Sequence, residues 1–158
     1  MINLAAYQGR EVDIAFLVGD LESSQEIELQ QTLRQDDGLF VTGIASLAQR
    51  VLWELLTEQG SQVYRPLRGT GFMTAAKQGF WRTTVDVAQS FYLALRTLKQ
   101  NVWEDETEED PPDSRLDDLS LLNVTLANGT VDLRLQLISR DGTAAELLLP
   151  INVTTFSS

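Results

Sequence analysis

Residues Val41 to Gly71 read VTGIASLAQRVLWELLTEQGSQVYRPLRGTG, and this stretch decides how the rest of the chain is arranged. Its apolar residues recur at steps of three and four, which predicts one stripe along an α-helix. The residues of this stripe are Ile44, Leu47, Val51, Leu52, Leu55 and Leu56. Thr42 is a candidate N-cap, and Gly60 can adopt the left-handed conformation that ends a helix.

The 158-residue chain contains no cysteine and no histidine. Disulfides, thiolate or imidazole zinc sites, and catalytic triads or dyads that use histidine are therefore excluded. The length predicts a single domain that spans 1–158. We accordingly expect a protein that is not an enzyme, with no catalytic residue, no cofactor and no metal.

Acidic residues outnumber basic ones and give a formal net charge of −11. A field of this sign repels nucleic-acid phosphates and anionic membrane surfaces. No apolar run approaches the roughly 20 residues of a membrane span, and the N-terminal residues lack the pattern of a signal peptide. We therefore expect synthesis in the cytoplasm, with no nucleic acid and no membrane among the partners.

The first forty residues predict short strands. Apolar residues alternate with others between Glu11 and Leu21, and a period of two continues through EIELQQTLRQ from Glu26. Asp37-Gly38 predicts a tight turn. The interpretation is a hairpin or two short strands that lead into the first helix, and a short helix over 26–35 fits almost as well.

A second amphipathic helix is predicted from Thr83 or Thr84 to about Gln100, and it most simply packs on the first. An acidic run with two prolines, 104–113, follows it. Because like charges repel one another, we interpret this run as a solvated loop. A divalent-cation site is the sharper alternative, but the run lacks the spacing of a calcium loop.

The C-terminal third predicts a three-stranded β-meander, with strands at about 119–127, 130–139 and 143–153. Asn128-Gly129 favours a two-residue type I′ turn, and a three-residue loop with Gly142 in a bulge position fits the second turn. The predicted pairs are Leu126 with Val131, Val124 with Leu133, Leu122 with Leu135, Leu135 with Leu147, Leu133 with Leu149, and Val131 with Ile151. We therefore predict an α+β fold, in which two amphipathic helices pack on a small, mostly antiparallel sheet.

Pro150 cannot donate a ladder hydrogen bond, so the last strand is predicted to be an edge strand. Residues 143–158 would then form an exposed C-terminal strand and tail. Such an edge can accept a strand from another chain, or it can simply fray, and the residues alone leave both possibilities open.

Two groups of polar residues could carry chemistry. Glu54 and Glu58 lie one helical turn apart, but a carboxylate pair on the polar face of an amphipathic helix is expected to be solvated. Tyr64, Arg65 and Arg68 form a basic and aromatic cluster beside glycines. In so acidic a chain, we interpret the cluster as docking residues or as members of intramolecular salt bridges.

The order of these elements resembles the sheath-initiator family, the small baseplate wedge proteins of contractile phage tails, some members of which carry a lysozyme-like label. The residues that carry the resemblance are Gln49, the Leu-Leu-Thr of 55–57, Gly60, Ser61, Tyr64, Arg65-Pro66 and Gly69. The family's Glu-Pro-Arg signature is replaced here by DPPDSR at 110–115.

The resemblance implies a structural protein of the virion, made in the host cytoplasm and present in multiple copies around the tail axis. It would join other baseplate wedge and tail tube proteins to the tail sheath protein. Arg115 would contact a helical bundle of the wedge partner, and the C-terminal strand would be added to the first ring of sheath subunits. The residues expected to bind partners are Tyr64, Arg65, Arg68, Arg115, Leu149, Ile151, Val153 and Thr155. The alternative is a small acidic adaptor or inhibitor that binds a basic protein.

Overall fold

Three helices lie against one face of a four-stranded sheet, which confirms the predicted α+β class. This computed structural model describes residues 43–153 in full and, before them, the backbone of three short strands. In chain order the elements are β1 (Asp13–Ile14), β2 (Glu26–Glu28), β3 (Phe40–Val41), α1 (Ile44–Leu56), α2 (Phe72–Lys77), α3 (Thr84–Asp105), β4 (Leu116–Ala127), β5 (Thr130–Ser139) and β6 (Ala144–Asn152). A 3-10 turn, Pro112–Ser114, precedes β4. The short helix α2 lies between the two predicted amphipathic helices.

The helix α1 ends at Leu56, four residues before the predicted stop at Gly60. Its C-cap residue, Thr57, donates both its backbone N–H and its hydroxyl to Trp53 O. The predicted N-cap, Thr42, lies outside the described residues, and Gly43 occupies the cap position with a φ of 61°. Other elements surround most of α1, so that polar positions such as Gln49 are buried along with the apolar stripe.

The helix α3 begins at a capping box, in which Thr83 Oγ1 accepts a hydrogen bond from Asp86 N and the Asp86 carboxylate accepts one from Thr83 N. The hydrogen bond that Thr83 N donates to this carboxylate is the main cause that holds the pKa of Asp86 below its ordinary value. The helix continues to Asp105, five residues beyond the predicted end at Gln100. The first two residues of the predicted acidic loop are therefore helical.

The meander has the predicted order and, with one exception, the predicted register. Asn128 and Gly129 have φ values of 52° and 75°, as a type I′ turn requires. The confirmed pairs are Leu126 with Val131, Val124 with Leu133, Leu135 with Leu147, Leu133 with Leu149, and Val131 with Ile151. The exception is Leu135, which faces Leu121, because a register shift between Leu121 and Asn123 leaves Leu122 out of the ladder and 44% exposed.

The strand β6 is not an edge strand along its whole length. The strand order is β2-β6-β5-β4, and β2 runs parallel to β6 with Ile27 opposite Leu147. The prediction of an exposed C-terminal strand is therefore wrong for Glu146 to Leu148, which are paired on both sides. Pro150 lies beyond the part of β6 that β2 covers. Residues 154–158 of the predicted tail lie outside the described residues.

Of the three short N-terminal strands, β1 and β3 pair with each other, and only β2 pairs with a distant element. β1 pairs with β3 in antiparallel fashion, with Asp13 opposite Val41, while β2 joins the four-stranded sheet. Of the interpretations offered for the first forty residues, the short strands are confirmed and a hairpin between β1 and β2 is wrong. Residues 15–25 and 29–39 lie outside the described part of the chain.

The core lies between the sheet and the helices. Alternate residues of β5 and β6, from Val131 to Leu137 and from Ala145 to Ile151, are buried on the face that the helices cover. The aromatic ring of Phe72 on α2 meets Phe91 on α3 edge to face, at 6.2 Å between centroids. This arrangement leaves the α1–α2 loop and the C-terminal end of α3 together at one side of the helical layer.

Candidate functional site

The loop between α1 and α2, residues 57–71, is closed at its base by hydrogen bonds between its two ends. Thr70 N donates to Thr57 O at 2.9 Å, and Gln59 N donates to Thr70 O at 3.3 Å. Thr70 Oγ1 also donates to Leu55 O in α1, at 3.0 Å. A loop whose ends are tied in this way is a compact unit. We refer to residues 61–68 as the loop tip.

The loop tip carries apolar side chains that point into solvent. Val63 is 87% exposed, Tyr64 97% and Leu67 76%. The backbone beneath them is ordered by its own hydrogen bonds, since Gly60 N donates to Pro66 O at 2.9 Å and Arg68 N donates to Arg65 O at 3.1 Å. A cluster of exposed apolar side chains on an ordered backbone is typical of a protein interaction site.

Glu54 anchors the loop to the helices. The residue is 4% exposed, and its Oε1 accepts hydrogen bonds from Gly69 N at 2.7 Å and from Asn101 Nδ2 at 2.5 Å. Its Oε2 lies 3.3 Å from Arg68 Nη2. One carboxylate thus joins α1, the loop and α3. The prediction that Glu54 is solvated is wrong, because α1 is covered on nearly all sides.

Arg65 and Arg68 are both tied to α3. Arg68 donates to Asn101 O at 2.9 Å and pairs with the carboxylate of Asp105, and its side chain is 14% exposed. Arg65 pairs with the same carboxylate at 2.9 Å, but its side chain is 56% exposed. Of the two interpretations of these arginines, intramolecular salt bridges are confirmed. A docking role stays a prediction.

A cavity of about 240 Å³ opens beside this network. Its lining residues are Gln49, Arg50, Trp53, Glu54, Gln62, Arg65, Arg68, Val102 and Asp105. Trp53, 61% exposed, places an aromatic ring next to the arginines. Tryptophan, tyrosine and arginine are the residues that carry most binding energy at protein interfaces, so this side of the molecule has the composition of an interaction hot spot.

The chemistry of the loop network is structural. Glu54 and Asp105 are both engaged by arginine or amide donors, which leaves no acid–base pair aimed at a reacting group. In the part of the chain that the structure describes, no three acidic side chains converge as metal ligands. Among the same residues, none of the helices combines the length and apolar character that a bilayer crossing requires.

Arg115 lies at a different junction, between the 3-10 turn and β4. Nearby, Glu106 Oε1 accepts a hydrogen bond from Leu116 N at 2.6 Å. Burial raises the pKa of Glu106, although the charges of Arg50, Arg140 and Arg115 act in the opposite direction. Arg115 thus belongs to an internal charge cluster, and its contact with a wedge partner stays a prediction.

The predicted partner-binding residues of β6 face inward or lie beyond the described chain. Leu149 and Ile151 are 1% and 7% exposed and pack in the core. Val153 is half-buried, and its N–H donates to Gly129 O at 2.8 Å. Thr155 lies outside the described residues. The structure therefore brings only Tyr64, Arg65 and Arg68 together in one loop, while the other described members lie on separate elements.

The sequence prediction did not include three residues of the site, Trp53, Asn101 and Asp105, and it placed a fourth, Glu54, on the solvated face. For Glu54 and Asn101 a signal was present. Glu54 follows Leu47 and Val51 at spacings of seven and three residues, which places it on the apolar stripe and not opposite it. Asn101 follows Ala94 and Leu98 at the same spacings. A polar residue within an apolar stripe is a candidate for a buried hydrogen-bonded group.

No protein-family model and no curated protein matches this chain.

Proposed function

We propose that this protein is a structural component of a contractile phage tail baseplate, of the sheath-initiator kind, and that the loop tip is one of its docking surfaces. The observation that carries the proposal is the exposure of Val63, Tyr64 and Leu67 on a loop that is anchored to both long helices. An apolar surface that remains exposed in the free chain favours an assembly role over a catalytic one.

The anchoring supports docking because it lowers the entropic cost of binding. Thr57 and Thr70 join the two ends of the loop, and Glu54 ties its C-terminal side to α1, so that the apolar side chains at its tip are presented on an ordered backbone. Preorganised side chains lose less conformational freedom on binding than those of a mobile loop. Val63, Tyr64 and Leu67 therefore form the part of the surface that a partner protein would bury first.

The C-terminal strand can take part only beyond its parallel partner. β2 covers β6 at Glu146 to Leu148, so addition of a sheath strand would use Leu149 to Asn152 and the residues that follow. This shortened edge supports a smaller strand contact than an uncovered β6 would offer.

The location of the chain in purified contractile tails tests the proposal. We expect an antibody against this chain to label the junction of baseplate and sheath in electron micrographs. The double variant Tyr64→Ser with Leu67→Ser is expected to fold normally, because both side chains are exposed, and to be absent from purified tails.

A matched control shows whether a loss of assembly comes from the loop tip or from the removal of any exposed apolar side chains. Phe80→Ser with Leu122→Ser removes two exposed apolar side chains from other elements, and this variant should be incorporated normally. Tails that contain the loop variant at wild-type levels would contradict docking through the loop tip. A chain that labels no tail particle and instead copurifies with a basic protein would favour the acidic adaptor.

A further inference from the structure

The outer face of α3 carries a second exposed surface, separate from the loop tip. Its members recur at helical spacing opposite the buried stripe that contains Val87, Phe91 and Leu98. The exposed apolar residues are Val85 at 60%, Tyr92 at 57%, Leu93 at 82% and Trp103 at 42%. The stripe runs along a helix of 22 residues, and at its C-terminal end Trp103 donates its indole N–H to Leu116 O of β4 at 2.9 Å, whereas Val85, Tyr92 and Leu93 remain largely exposed.

The polar residues of this stripe are spaced so that a second α3 helix, running in the opposite direction, would set each arginine opposite an uncharged side chain. Gln89 and Arg96 lie on either side of Tyr92 and Leu93, and Arg82 lies just before the helix. If two helices cross in opposite directions about a point between Tyr92 and Leu93, residues whose numbers sum to 185 face each other. Gln89 then meets Arg96, Tyr92 meets Leu93, and Arg82 meets Trp103.

From this arrangement we propose that α3 is the interface of an antiparallel homodimer. A two-fold interface of this kind buries the apolar stripe, pairs each arginine with an amide or an aromatic ring, and sets no two like charges opposite each other. A parallel pair would place Arg96 against Arg96 of the second copy, which excludes that orientation. The dimer does not depend on the proposed baseplate role.

The net charge of the chain sets the expected strength of the dimer. Each copy carries a formal charge of −11, and this mutual repulsion opposes association. The contact between two single helices also lies at the low end of specific interfaces, so we expect a dissociation constant of about 10–100 µM near 0.15 M salt. Because salt screens the long-range repulsion more than it weakens apolar burial, association should strengthen as salt is added.

Sedimentation equilibrium of the full-length chain tests the antiparallel register with two variants on one helix. Gln89→Glu places a carboxylate opposite Arg96 twice per dimer, whereas Gln100→Glu adds the same charge opposite Val85. We expect the dissociation constant of the Gln89→Glu protein to be about threefold or more below that of the Gln100→Glu protein. Equal constants for the two variants would overturn the register.

The absence of native cysteine allows a second, independent test by crosslinking. Leu93→Cys should be joined rapidly by a short bis-maleimide, because residue 93 lies beside the two-fold axis. Leu67→Cys, at a comparable native exposure of 76% against 82% for Leu93, should be joined only at the rate of random collision. A chain that sediments as a monomer up to several hundred micromolar, with equal crosslinking of the two cysteines, would refute the dimer.

Discussion

At the scale of single residues, Glu54 is the group on which the candidate site depends. Its carboxylate satisfies a backbone amide of the loop, a side-chain amide of α3 and the guanidinium of Arg68. All of these groups are largely removed from water, so solvent cannot readily replace the carboxylate if Glu54 is lost. The position of the loop tip therefore follows from one buried side chain.

Replacement of this carboxylate is expected to remove the contacts that hold the loop against α1 and so to destabilise the fold. Glu54→Ala should lower the free energy of unfolding by about 1–3 kcal/mol, because it leaves the buried Gly69 N–H without its acceptor and removes one acceptor each from Asn101 and Arg68, which keep Gly69 O and Asp105. Glu58→Ala, the same substitution one helical turn later, breaks an exposed pair with Lys77 and should cost about 0–1 kcal/mol. Chemical denaturation of both variants measures the difference, and similar losses would contradict the anchoring role.

Glu106 is expected to make stability fall as pH rises. Burial raises its folded pKa above the ordinary value of 4.5, so between that value and the raised pKa the folded chain binds more protons than the unfolded chain. The contribution of Glu106 to the free energy of unfolding is fully present below pH 4.5, and it is lost as the pH rises through the pKa of the folded state. Glu106→Gln stays neutral, and thermal unfolding should therefore show its stability rising relative to the parent chain across this window.

Glu58, whose pKa is lowered and not raised, provides the control. A hydrogen bond from Lys77 lowers the pKa of Glu58, so its stabilisation is present above pH 4.5 and is lost as the pH falls through the lowered pKa. Glu58→Gln should therefore lose stability relative to the parent chain as the pH rises. Two pH profiles with the same sign would show that Glu106 is not held in the environment described here.

At the scale of elements, the α1–α2 loop holds its exposed tip on a base that backbone hydrogen bonds close. Gly69 has a φ of 91°, and a side chain at this position would collide with the backbone of Thr57. The two ends of the loop approach this closely because Thr57 and Thr70 pair across its base. A glycine at 69 is therefore required by the packing of backbone on backbone.

Alanine substitutions at two glycines of this loop distinguish the cost of the close backbone approach from the cost of a positive φ. Gly60→Ala and Gly69→Ala both place alanine at a positive φ, which costs about 1–2 kcal/mol, but at Gly60 nothing lies within 4 Å of the added Cβ. Gly69→Ala should cost about 1–3 kcal/mol more, because the backbone of the loop base must move apart. Calorimetry should show the Gly69→Ala midpoint clearly below that of Gly60→Ala, and equal midpoints would contradict a tightly closed loop base.

At the scale of the whole molecule, the sheet and the helices form two layers with different exposures. β5 and β6 bury one face completely against the helices, whereas the outer faces of α1 and α3 keep Trp53, Tyr92 and Leu93 in contact with solvent. The apolar loop tip and the outer face of α3 are thus both carried by the helical layer. The net charge of −11 makes copies of the chain repel one another and so opposes non-specific contact between these surfaces.

The sequence by itself determined the elements whose partners are near neighbours in the chain. The Asn128-Gly129 turn and the alternation of apolar residues specify β4, β5 and their register from Asn123 to Arg134, because a tight turn and a period of two favour one pairing, whereas the register shift that leaves Leu122 exposed has no local signal. The stripes of α1 and α3 follow from helical spacing in the same way. Only the tertiary structure decided that α1 is surrounded, that Glu54 is buried and that β2 lies beside β6. These features depend on contacts between residues far apart in sequence. The hydrophobic periodicity of a short segment does not show which distant segment will cover its exposed face.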